Sequence, residues 1–341
     1  MTLLPWRRSP IAMATGASLA LLTAVVPVEA SAPDWRPPPA RDDDSVVVGD
    51  GTAASCTSAA VVRAVRRGGR IRFACGPAPV TIVMRRTAEV RNTSTRVVID
   101  GGGLVTLSGA GKRRILRQDT CDRSLVWTTS HCNDQATPRL VVKNLTLRDG
   151  KVSSGDLEDG SGGAIYARGG RLRIVGTRFV DNRCTRTGPD TGGAAVRVLD
   201  QHRDRPVVVR RSEFVDGVCS NGGALSSIGV SWRVVDTTFT GNRAIGRGAN
   251  PARPGSPGGG SGGAIYADGN DFTIELDRVR MEDNRAREGG GAIFFVSNDR
   301  TGTLSIESSV LRRNPSLGFE NWPGIFFLGK GRPRLVDSVV R

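Results

Sequence analysis

The chain has 341 residues, 44 of them glycine, and a formal charge of +15. Lysine occurs only at Lys112, Lys143, Lys151 and Lys330, so nearly all the positive charge is arginine, scattered along the chain without a basic run. That pattern excludes a dedicated nucleic-acid binder and leaves an acidic polysaccharide as the partner that charge alone suits.

At the N-terminus, Arg7 and Arg8 precede an apolar stretch over residues 11–26, and Ala30-Ser31-Ala32 supplies small residues for cleavage. Residues 1–32 read as a secretory signal peptide, which places the mature protein outside the cytoplasm, secreted or on the cell surface. No later segment has the length and apolarity of a membrane span. Residues 33–54, rich in proline and aspartate at their start, read as a linker.

The domain is expected over residues 55–341. Thr57 to Arg67 has apolar residues at helical spacing and stops at Gly68-Gly69, so a short helix should cap the first coil. Strands follow at 70–74, 80–84, 97–100 and 105–107, and residues 119–137 should loop out.

From about residue 140 one unit recurs. Its first half reads Phe179-Val-Asp-Asn182, Phe239-Thr-Gly-Asn242, Met281-Glu-Asp-Asn284 and Leu311-Arg-Arg-Asn314. Its second half begins at Gly162-Gly-Ala-Ile, Gly192-Gly-Ala-Ala, Gly222-Gly-Ala-Leu, Gly262-Gly-Ala-Ile and Gly290-Gly-Ala-Ile. A unit this small cannot bury a core unaided and must stack on its neighbours. Three residues before each terminal apolar residue sit Asn144, Gly176, Arg211, Asp236 or Ser308, mostly turn formers that suit a bend between two short strands. The Gly/Pro-rich residues 246–260 lengthen one unit and read as a surface insertion.

Six cysteines in an exported chain point to disulfides. Cys184 and Cys219 each lie five residues after a terminal phenylalanine, so stacking should bring them together. Cys121 and Cys132 are close in sequence, which leaves Cys56 with Cys75.

The paired Gly-Gly-Ala-Ile and Phe-x-x-Asn blocks resemble right-handed parallel β-helix proteins of the pectate-lyase-like class. They are similar in particular to the repeats of bacterial polymorphic outer membrane proteins, over about residues 140–341. The resemblance implies an all-β right-handed parallel β-helix. It does not imply one activity, since the class holds lyases, hydrolases, adhesins and surface proteins. The chain shows no long run of alternating strands for a membrane barrel, and its last residues, 335–341, lie in a strand pattern without a polar cap, an end through which association is expected.

Strand alternation assigns faces to the Gly-Gly-Ala segments. Ile165, Ala195, Leu225, Ile265, Ile293 and Ile325 should point inward, and Tyr166, Val196, Ser226, Tyr266, Phe294 and Phe326 outward. The resemblance implies that lyases and hydrolases use this outer face, through carboxylates and a basic residue. None of the six outward positions is a carboxylate, so catalysis on an acidic polysaccharide is the secondary expectation. The row Tyr166, Tyr266, Phe294 and Phe326 is the candidate sugar-stacking surface.

Asp149, Asp181 and Asp216 should stack in one turn about 5 Å apart. Lys151, Arg183, Arg243 and Arg285 recur two residues after the aspartate or its equivalent to pair with them, and the alternative occupant is a calcium ion. Asp156, Glu158 and Asp159 are further acidic candidates. Asn182, Asn242, Asn284 and Asn314 should form a hydrogen-bonded ladder. The expected function is therefore non-catalytic binding or adhesion, with a polysaccharide or another envelope component as partner.

Overall fold

A computed structural model describes residues 45–126, 128–153, 160–188, 190–247, 255 and 258–341. The segment read as a signal peptide, most of the one read as a linker, and the acidic candidates Asp156, Glu158 and Asp159 lie outside the described residues. Among the described residues, every pairing between named strands is parallel, and no helix is long and apolar enough to cross a membrane.

The chain winds as a right-handed parallel β-helix in which each regular coil gives one strand to each of three sheets. The ten-stranded sheet contains Gly69–Phe73, Arg96–Asp100, Arg139–Lys143, Arg171–Val175 and Val207–Arg210 in that order. The nine-stranded sheet carries the short strands that end the Phe-x-x-Asn half, such as Arg178–Val180 and Glu213–Val215. An eight-stranded sheet carries the strands that follow the glycine pairs, such as Ile165–Arg168, Val196–Leu199 and Leu225–Ile228. A small fourth sheet pairs Val218–Cys219, Arg243–Ala244 and Arg285–Ala286.

Ser45–Val48, inside the segment read as linker, pairs with Gly69–Phe73, so the sheet includes residues before 55. The expected helix forms over Ser58–Arg67, with the Thr57 hydroxyl accepting from the Ala60 amide at 3.2 Å. It turns Val61, Ala64 and Val65 into the core of the first coils.

The bends between the ten- and nine-stranded sheets are left-handed at every coil from Asn144 on: Asn144, Gly176, Arg211, Asp236, Arg278, Ser308 and Asp337 have φ between 47° and 56°. A second left-handed corner follows the terminal apolar residue, at Asp149, Asp181, Asp216, Gly241, Asp283 and Arg313. Aspartate, asparagine and glycine recur at these corners because short polar side chains and glycine tolerate that conformation best.

Inside, equivalent residues lie over one another. Phe179, Phe214 and Phe239 stack with centroids 4.7 Å apart in both steps, and Met281 and Leu311 continue the row. The expected asparagine ladder forms over Asn242, Asn284 and Asn314, whereas Asn182 accepts from the Gly150 amide and donates to the Leu147 carbonyl of the coil before it. The Asn242 amide donates to Asn284 Oδ1, and the Asn284 amide to Asn314 Oδ1, each at 2.9 Å. Gly217 occupies the ladder position of its coil, and its amide donates to Asn242 Oδ1 at 3.0 Å instead. All three disulfides pair as expected, with Cα–Cα distances of 5.7 Å for Cys56–Cys75, 5.0 Å for Cys121–Cys132 and 4.6 Å for Cys184–Cys219.

Candidate functional site

The glycine pairs set the strands of the eight-stranded sheet. In the regular coils one glycine has positive φ three residues before the inward side chain: Gly162, Gly193, Gly222, Gly262 and Gly290, with φ between 56° and 71°. A Cβ at Gly193 would come within 2.1 Å of the Val196 carbonyl oxygen, so no other residue fits this turn.

In the second of these coils the left-handed glycine is Gly193, the second of its pair, whereas in the others it is the first. The strand is therefore displaced by one residue, and Val196, not Ala195, pairs with Ile165 and Leu225. Expected to point outward, Val196 joins the core, and Arg197 takes the outward position. A one-residue slip moves a side chain to the opposite face.

The outward row in register is thus Arg117, Tyr166, Arg197, Ser226, Tyr266, Phe294 and Phe326. Outward does not mean open. Tyr166, Arg197 and Ser226 are 0% exposed and Tyr266 6%. The expected platform of exposed rings is corrected accordingly: Arg197 and Ser226 separate the two tyrosines, and the remaining rings cover one another. Tyr266 stacks on Phe294 at 5.1 Å and Phe294 on Phe326 at 5.3 Å, while Phe319 meets Phe326 edge-on at 4.7 Å. The Arg114 guanidinium lies 5.2 Å from the Tyr166 ring centroid.

Arg197 donates to the Ser226 hydroxyl at 2.5 Å, while its Nε and one Nη are buried without a hydrogen-bond partner. Burial lowers its basicity, against the pull of Tyr266, Tyr166, Asp190 and Asp268. The Tyr266 phenol is pushed well above its ordinary value, by burial first and then by Asp268. It donates to Asp268 Oδ2 at 3.2 Å.

Asp268 also corrects the expectation that no carboxylate faces outward on this sheet. With Tyr166 and Tyr266 outward, alternation places Arg168, Asp119 and Asp268 outward as well, in the neighbouring row. Sequence reasoning stopped one position short along the strand. Asp119 and Asp268 lie four strands apart, about 19 Å at the usual spacing. That is well beyond the roughly 5–10 Å that separates the carboxylates of glycosidases. Asp268 is held by Tyr266 and the Asn298 amide, and Asp119 by Arg117 at 2.9 Å.

Asp149 and Asp181 share a cleft of about 410 Å³ with Lys151 and Arg183. Asp149 Oδ2 accepts from Arg148 Nε at 2.8 Å and from Ser108 Oγ at 3.2 Å. Together with Asp216, these aspartates recur because they occupy the left-handed corners. Among the described residues, no group of three or more histidine, cysteine or acidic side chains is arranged to hold a metal ion.

Residues 236–268 match the family model described as the Chlamydia polymorphic membrane protein (Chlamydia_PMP) repeat. This stretch carries Phe239-Thr-Gly-Asn242 and Gly262-Gly-Ala-Ile265, one Phe-x-x-Asn block and the glycine pair that follows it. The chain therefore contains a repeat similar to those of that family. No curated protein and no solved structure matches the chain.

Proposed function

We propose that this chain is an exported, cell-surface repeat protein that binds a polysaccharide or another envelope component and catalyses nothing. The observation that carries this reading is the filled outer face of the eight-stranded sheet. Tyr166, Arg197 and Ser226 are wholly covered there, so a polymer has no access to the arginine at the centre of the row. The match to a membrane-protein repeat supports surface display.

The test is to incubate the purified protein with a panel of uronate polysaccharides, with and without calcium, following unsaturated products, new reducing ends and retention together. The expected outcome is retention without product. Calcium-dependent release of unsaturated uronates would overturn the reading and favour the lyase alternative. Surface display is tested by protease shaving of intact cells, which should remove the protein.

A further inference from the structure

The outer face of the ten-stranded sheet carries a cluster of arginines on its first strands. The register sets Arg96, Arg139 and Arg171 opposite one another on three successive strands. A parallel row holds Arg70, Val98, Val141 and Arg173. Adjacent strands lie about 4.8 Å apart, and like charges directly opposite one another destabilise a sheet. Arg171 shows the strain: its basicity is lowered by burial first, then by Arg205 and Arg139.

Little acid offsets this charge. Asp100 shares the face but is held by Lys143 at 2.8 Å and Asn144 at 3.0 Å. Arg70, Arg139, Arg171 and Arg173 form no ion pair among the described residues. Two clefts of about 400 and 500 Å³ open here and adjoin at Arg96, Val141 and Arg173. No aromatic side chain lines either one.

We propose that this face binds a linear acidic polysaccharide laid along the solenoid axis, across the strands, so that arginines of successive coils take up its carboxylates or sulfates. Guanidinium groups suit both anions because they bind them bidentately. A repeated acidic chain fits because the arginines repeat once per coil. Nucleic acid is disfavoured because single strands are held largely by stacking on aromatic rings, and this face has none. The proposal rests on the adhesive reading above but assigns it to a different sheet from the one where the resemblance places catalysis.

The test uses the full chain on columns of immobilised polygalacturonate, dextran sulfate, neutral dextran and single-stranded DNA, eluted by salt. Polygalacturonate and dextran sulfate distinguish carboxylate from sulfate as the group bound. The triple variant R139Q/R171Q/R173Q should elute from the preferred acidic column at about half the salt or less. A charge-matched control on the capping helix and the adjacent turn, R63Q/R66Q/R86Q, should elute near wild type. Equal loss in the control would reduce the effect to net charge and overturn the proposal, as would tighter retention on DNA than on either acidic polysaccharide. Retention on neutral dextran that survives the triple variant would overturn the arginine site while leaving the adhesive reading intact. If the triple variant fails to fold, R139Q alone decides: the proposal requires a melting temperature above wild type without polymer and a smaller rise on adding it.

Discussion

Arg197 gives the most direct test of how the outer face of the eight-stranded sheet is built. Its guanidinium is 0% exposed, and its one hydrogen bond is to the Ser226 hydroxyl at 2.5 Å. Moving an ion of this kind out of water costs several kcal/mol even after relaxation. A hydrogen bond made by a charged group returns only about 1.5–3 kcal/mol. The balance is unfavourable. Arg197→Met replaces the cation with an unbranched side chain that can follow the same path, so it should stabilise the protein by about 1–3 kcal/mol. Urea unfolding followed by far-UV circular dichroism measures this as a higher midpoint at unchanged slope. Adding Ser226→Ala should recover part of any shortfall, because the hydroxyl otherwise loses its donor. A loss of more than about 1 kcal/mol at unchanged slope would refute the reasoning. It would mean that Arg197 is neutralised in place, with Asp190 and Asp268 the carboxylates to replace next.

Phe214→Ala should cost about 4 kcal/mol, because the ring is fully buried between Phe179 and Phe239 at 4.7 Å on each side. Phe179→Ala, with one ring neighbour, should cost about 1 kcal/mol less; equal costs in urea titrations would argue against a stacked row. Removing Cys184 and Cys219 together opens a link across 35 residues and should cost about 4 kcal/mol by loop-closure entropy, seen as a melting temperature that no longer responds to reductant at this site. Asn242→Ala leaves the Gly217 amide without its acceptor in the interior and should cost about 2 kcal/mol, whereas a cost near zero would show that water replaces the ladder. For Asp100, burial pushes the carboxyl up, but the hydrogen bonds from Lys143 and Asn144 outweigh it and hold the group below its ordinary 3.8. Its stabilising contribution is therefore complete above that value and lost as pH falls through the depressed folded value. Asp100→Asn should be less stable than wild type at pH 7, converge with it in acid, and bind an acidic polysaccharide more tightly; a stability gap that does not change with pH would refute the assignment.

Much of the fold was legible because each coil repeats the same physical demands. An inward aliphatic, a left-handed corner filled by aspartate, asparagine or glycine, and a turn where a Cβ would strike a carbonyl all leave marks in the local sequence. The Cys184–Cys219 bridge and the run Asn242, Asn284, Asn314 followed from the same bookkeeping, since equivalent positions in stacked coils must lie over one another. The register slip at Gly193 did not follow. Both glycines of the pair look alike in sequence, and only pairing with Ile165 and Leu225 reveals which of them makes the turn.

The candidate site was less legible than the fold. Alternation along a strand determines direction, and for Tyr166 and Tyr266 the sequence gives it correctly. Exposure is set by what lies over the sheet, and here both tyrosines are buried, Tyr266 under Phe294 and Tyr166 beside Arg114. The arginine face was hidden for a related reason. Arg96, Arg139 and Arg171 are far apart in a chain whose arginines look evenly scattered, and the lengths of the intervening loops decide which of them meet. Local sequence thus determined the coil, because its constraints act within a few residues. Only the stacking of coils decided which side chains are covered and which charges stand together, because burial and Coulomb repulsion depend on distance in space.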